Sequence, residues 1–167
     1  MSAARLRPEG LTHDAYVKSG AERSEGAGAA AHGWAVATRH FLVIEAGGRV
    51  LTRPWSDVDR ATLDPATVDL TVHWADGTPT SVLGLADDHD PTFARTLYER
   101  VQSSVVIAEV VRLANGEQVR VAVRRGARDE LFSQVIGSGR VDLQDPETAA
   151  AIGGAEARVR DASGLPR

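Results

Sequence analysis

Apolar residues fall into two kinds of pattern along this chain: short runs of strand length, and two stretches at helical spacing. Between Trp34 and Val105 the strand-like runs are Trp34–Thr38, Phe41–Glu45, Val50–Thr52, Val68–Trp74 and Thr80–Leu85. The fourth alternates, with Val68, Leu70, Val72 and Trp74 on one face and Asp69, Thr71 and His73 on the other, the period of two of a half-buried strand. A slip of one residue would turn all four apolar groups to solvent, so this strand's register is firmly specified. Asp76-Gly77 offers residues that tolerate positive φ and predicts a tight hairpin turn. A helix then opens with Asp90 as cap and Pro91 at its first position, where the missing N–H costs nothing. Phe93, Leu97, Val101 and Ser104/Val105 recur along one face of it.

Three further strands are expected over Val105–Leu113, Gln118–Val123 and Leu131–Val135, the first two joined at Asn115-Gly116, a strong hairpin signal. Asp145-Pro146-Glu147 starts a terminal helix with Ile152, Ala155, Val159 and Ala162 on one face, stopped by Gly164 and Pro166. Gly153-Gly154 within it costs about 1 kcal/mol per glycine relative to alanine, so this helix needs docking to persist. At the other end, residues 1–10 read as a frayed tail. Thr12 to Arg23 reads as a short helix weakened by Gly20, and Ser24–Gly33 as a flexible connector. The expectation is an α+β protein in three parts. Residues 1–33 are partly disordered, 34–105 form a curled antiparallel sheet capped by a helix, and 106–167 form a three-stranded meander with a C-terminal helix packed on it.

Composition narrows the function more than the fold. The 167 residues are 43% apolar, enough for a core without staples, and include no cysteine, which removes disulfides, thiolate nucleophiles and Cys-based zinc sites. No run approaches the roughly 20 apolar residues of a membrane span, and no signal-peptide pattern opens the chain. A cytoplasmic protein is expected. Lys18 is the one lysine beside eighteen arginines, and alanine is abundant, a bias that fits a GC-rich bacterial genome. Residues 34–105 carry six arginines against ten carboxylates, so the basic footprint of a nucleic-acid or anionic-lipid binder is missing there.

Val36-Ala-Thr-Arg39 leading into Phe41–Ile44, then Arg53-Pro-Trp-Ser-Asp-Val58, Leu70–Gly77 and the helix beginning near Phe93 resemble bacterial pleckstrin-homology-like domains. Their pattern is a T-x-R opening to a strand, a short W/Y-x-D-V/I segment, a strand pair turned at D-G and a closing helix. The resemblance covers about residues 34–105 and implies a seven-stranded curled sheet plugged by a helix. Five or six strands are legible in the sequence, and the meander lies outside the pattern. Such scaffolds host unrelated activities. The basic loop with which lipid-binding relatives hold phosphoinositides is reduced here to Arg39 and His40, so phosphoinositide binding is not implied.

Among candidate sites, Trp55-Ser56-Asp57-Val58 is the most distinctive: an aromatic anchor for a partner, or a Trp packed at the sheet edge with Asp57 capping a turn. Arg39, His40, Arg124 and Arg125 complete the candidate partner or ligand surface, with Arg128 near the last two and Asp129 and Glu130 as ready surface partners. Asp87-Asp88-His89-Asp90 lacks the interleaved spacing of a calcium loop, and the five histidines lack zinc spacing, so no metal or cofactor is expected. His13 or His40 with Ser56 or Ser81 would be a triad without a nucleophile elbow, and the Gly26-x-Gly28 and Gly137-Ser-Gly139 pairs are not phosphate loops. His73 reads as a solvated cross-strand partner.

The favoured function is a non-catalytic protein-interaction or regulatory module with an unidentified protein partner. A homodimer would be one way to cover the exposed edge of the 107–123 hairpin. The alternative is a small-molecule binder or enzyme with a pocket between the sheet domain and the meander, using His40, His73, Asp57 and Arg124. A weaker third reading, peripheral membrane binding, would use Arg39 with Arg124-Arg125.

Overall fold

A computed structural model describes residues 16–23, 31–85, 91–137 and 141–166. It is an α+β structure with two antiparallel sheets and two helices. Seven strands are β1 (Tyr16–Arg23), β2 (Ala31–Ala37), β3 (Phe41–Ala46), β4 (Arg49–Pro54), β5 (Val58–Asp64), β6 (Asp69–Trp74) and β7 (Ser81–Leu85). They form one sheet in the order β4-β3-β2-β1-β7-β6-β5. A 3-10 turn, Trp55–Asp57, joins its two edge strands β4 and β5. Helix α1 (Pro91–Ser104) follows, then β8 (Val105–Arg112), β9 (Gln118–Arg125) and β10 (Leu131–Gly137), a second sheet ordered β10-β9-β8, and helix α2 (Pro146–Ser163).

Alternation decides the faces. In β6 the apolar side chains Leu70, Val72 and Trp74 are buried while Asp69, Thr71 and His73 are half-exposed. They join Leu42 and Ile44 of β3, Leu83 and Leu85 of β7, and Phe93, Leu97 and Val101 of α1 in one apolar cluster. Strands from both ends of the seven-stranded order therefore share a single core under α1. A second cluster lies between α2 and the small sheet: Val119, Val121 and Val123 of β9 against Ile152, Ala155 and Val159 of α2. The terminal helix is built as its sequence signals say. Asp145 accepts from the Thr148 N–H, Pro146 takes the first position, and Gly164 ends the helix at φ 75. Ala162 is exposed rather than packed, and Thr148, in the first turn, is buried. Among the described residues no helix is long and apolar enough to cross a membrane.

The N-terminal expectation is corrected. Tyr16–Arg23 is a strand, not part of a helix, and Ala31–Gly33 belong to β2 rather than to a connector. β1 pairs with β2 over Tyr16–Glu22 and with β7 over Gly20–Arg23, so a strand at this position supplies ladder partners to two neighbours at once. That tertiary pairing overrides a weak local propensity. β5 is also absent from the sequence reading: it is a polar edge strand, exposed along most of its length. The hairpin at Asp76-Gly77 is wider than expected. Gly77 N–H reaches Trp74 O with Gly77 at φ 74, but the β6–β7 ladder closes only at Val72↔Ser81. Asn115-Gly116 likewise sits in a three-residue loop, with Gly116 at φ 85 and Leu113 N–H bonded to Glu117 O. The Asp90 cap and the Asp87–Asp90 cluster lie outside the described residues.

Gly33 marks a close approach of β2 to β3, because a Cβ there would overlap the backbone carbonyl of Glu45. Gly33→Ala is expected to lower the urea unfolding midpoint more than Gly153→Ala, whose added Cβ meets open space and which should raise it. Asp145→Ala should cost about 1 kcal/mol by removal of the α2 cap. Equal effects of the two glycine substitutions would contradict the packing at β2–β3.

Candidate functional site

The segment where the large sheet's edges meet is built by sequence-local geometry. Pro54 ends β4 in extended conformation (φ −64, ψ 156), and the chain turns at once into Trp55–Asp57. The turn is pinned from the β2–β3 side: Trp55 Nε1 donates to Thr38 O at 3.0 Å, and Trp55 N–H donates to His40 O at 3.3 Å. On the other side Ala75 N–H donates to Asp57 O at 2.8 Å. Trp55 is 4% exposed and Ser56 is buried with it.

Arg53 bridges the gap between the sheet edges. Its Nη1 lies 3.2 Å from Asp57 Oδ2 and 2.8 Å from Asp76 Oδ2, and its guanidinium carbon sits 5.2 Å from the centroid of the Trp74 ring. The hydrogen bond to Asp76 raises the Arg53 pKa above its ordinary value. Asp76 is lowered to about 2, first by the hydroxyl of Thr78 and next by Arg53.

Arg124 enters the same region from β9. It is fully buried, and its Nη2 donates to Trp55 O at 2.8 Å, Val58 O at 2.8 Å and Ser104 Oγ at 2.9 Å. Ser104, the last residue of α1, donates its own proton to Val101 O at 2.6 Å, which leaves its oxygen free to accept. One nitrogen thus fastens the small sheet to the 3-10 turn, to β5 and to α1. Burial lowers the Arg124 pKa to about 10, with Arg120 adding to the effect and Asp57 opposing it. Nε and Nη1 of Arg124 and Oε1 of Gln134 have no hydrogen-bond partner among the described residues. Four residues earlier on β9, Arg120 forms an ion pair with Asp59, which also holds Arg60 at 2.9 Å.

The site residues expected from sequence therefore divide. Trp55, Asp57 and Arg124 come together, and His40 joins them through its backbone carbonyl. Two of these are corrected in role: Trp55 and Arg124 are interior, so neither presents a partner surface. The Trp55 ring closes the core beneath the turn, and the Arg124 side chain points away from Arg125 because successive strand residues face opposite ways. Arg125 pairs with Asp129 at 3.8 Å, and Arg39 is exposed on the turn between β2 and β3. His73 lies outside the group, its Nδ1 3.4 Å from an Arg60 nitrogen, and burial with the nearby Arg60 charge lowers its pKa. Ser56 and Ser81 are both buried. Arg53, Ser104 and the Arg120–Asp59 pair escaped the sequence reading. Alternation along Val119–Arg124 separates Arg120 and Arg124 from the valines, but nothing in it says that another sheet covers their face. Among the described residues no group of three metal-ligating side chains gathers. No family model, curated protein or solved structure matches the chain.

Chemically, Arg124 is committed to backbone carbonyls. Arg124→Met strips a donor from Val58 O and one from Trp55 O, which keeps the Val58 N–H, and a buried carbonyl left unsatisfied costs about 1–3 kcal/mol. Arg124→Lys should be milder, because three ammonium protons match three oxygens. Urea unfolding of the two variants measures this, and a Met variant as stable as the native chain would refute the fastening role. A second expectation concerns acid. The Asp76 pKa is depressed in the folded chain, so its contribution is present above the ordinary carboxylate range and lost as pH falls toward 2. Asp76→Asn should flatten the acid limb of the stability profile.

Proposed function

We propose that this chain is a non-catalytic cytoplasmic protein-interaction module. In this reading the seven strands with α1 form a pleckstrin-homology-like domain, and the three-stranded sheet with α2 is the docking platform. The order β4-β3-β2-β1-β7-β6-β5 followed by a helix supports the first part. The observation that carries the second is β8. It is an edge strand eight residues long, with Val106 40% and Val110 61% exposed and Ala108 exposed between them. A long edge with outward apolar side chains is a template for strand addition, where main-chain hydrogen bonds give affinity and alternate side chains give specificity. The polar residues of the candidate site are meanwhile engaged internally, by Arg53 with Asp57 and Asp76 and by Arg124 with backbone carbonyls.

The test is affinity capture from the lysate of the source cell by the native chain and by Val110→Lys, with circular dichroism confirming that the variant is folded. A stoichiometric protein retained by the native chain and lost from the variant is the expected result. Nothing retained by either would overturn the reading.

One observation favours a second reading, a small polar ligand at the junction of the sheets: the buried nitrogens of Arg124 and the amide oxygen of Gln134 that find no partner among the described residues. Ligand at about 100 times its Kd would add about 2.7 kcal/mol of stability, visible as a thermal shift in a metabolite screen.

A further inference from the structure

We infer that the partner of β8 is β8 of a second copy, paired antiparallel about a two-fold axis with Val110 opposite Val110, so that two three-stranded sheets become one of six strands. The inference rests on the interaction-module reading and names its partner.

β8 pairs with β9 on one side and with no other strand among the described residues on the other. Of its eight residues only Glu109 and Arg112 are charged. Glu109 is turned toward α2, where Arg158 holds it at 2.5 and 3.1 Å, so its charge does not guard the open edge. Natural edges are commonly blunted by charge, proline or a bulge. Here the ladder to β9 slips between Val105 and Ile107, a bulge that disturbs only the start of the strand and leaves Ile107–Arg112 regular.

Symmetry then limits the register. A two-fold axis perpendicular to the sheet keeps each residue on its own face, so the axis must pass midway between the two copies of one residue. Centred on Ala108, the pairing would set the bulge at Val106 against the partner's Val110 and break the ladder there. Centred on Glu109, it would oppose two carboxylates, which is unfavourable. Centred on Val110, it opposes the most exposed apolar side chains of the strand to each other, sets Arg112 against the partner's Ala108, and sets Glu109 against the partner's Val111. No like charges face one another. The contact is isologous and closes on itself, so it consumes the edge without propagating a fibre.

The chain has no cysteine, which makes cysteine scanning clean. Cβ atoms directly opposed across an antiparallel pair lie about 4.5–5.5 Å apart, near disulfide reach. The full chain with Val110→Cys should form a cross-linked dimer under mild oxidation. Ala108→Cys alone should not, and the Ala108→Cys/Arg112→Cys double variant should. Light scattering on the native chain should give twice the 17.7 kDa chain mass, and Val110→Lys should give the monomer with an unchanged circular dichroism spectrum. A native chain that stays monomeric at about millimolar concentration, a dimer that survives Val110→Lys, or cross-linking through Ala108→Cys alone would each overturn the proposal. A monomeric native chain that still captures a different protein through β8 would overturn the self-pairing and leave the interaction reading standing.

Discussion

A cation held away from water without an ionised partner in hydrogen-bond contact is the constraint around which this molecule is arranged. Moving a guanidinium into a low-dielectric interior costs several kcal/mol after relaxation, and attraction to neutral oxygens recovers part of that. The arrangement persists because Arg124 solves three problems together. The carbonyls of Trp55 and Val58 flank the 3-10 turn, where Trp55 O already accepts from the Val58 N–H, and the hydroxyl of Ser104 sits where α1 has run out of N–H groups. A hydrophobic residue at the same place would remove the charge and take a donor from each of the three oxygens, of which Trp55 O keeps the Val58 N–H. Junctions of this kind trade net stability for a fixed relation between parts.

Arg53 does the complementary task on the wet side. The seven-stranded sheet has two edges, and the short turn between them leaves a seam that no ladder closes. A guanidinium lying over Trp74 and shared between Asp57 and Asp76 spans that seam with a planar, charged group whose stem is apolar. Being partly solvated, it contributes less per contact than a buried pair would. Its value lies in joining β4 and the adjoining turn to a segment 23 residues further along the chain.

What the sequence disclosed follows from how each residue's environment was specified. β6, α1 and α2 were legible because period, cap and stop signals were all local: Leu70–Val72–Trp74, Phe93–Leu97–Val101, Asp145 with Gly164. β1 was not, because Tyr16–Arg23 has no alternation and acquires its conformation from β2 and β7. β5 was hidden by its own exposure, since Asp59, Arg60, Thr62 and Asp64 resemble a loop until β6 pairs with them. The site was harder still. Arg124-Arg125 reads as one basic patch, yet a strand sends its neighbours to opposite sides, and burial of one depends on a surface about 66 residues earlier in the chain. Trp55 was found, but its indole turns inward because Thr38 O waits for it.

The chain passes from α1 to β8 with no residue between, Ser104 closing the helix and Val105 opening the strand. Slack is therefore missing at the one place where the two parts of the molecule are covalently continuous after the large sheet. Whatever grips β8 pulls directly on the helix that plugs the first core, and the clamp at Ser104 spreads that tension into the 3-10 turn. β8 is thus mechanically in series with the core, so a tug on it is felt at Phe93 as a force along the helix axis.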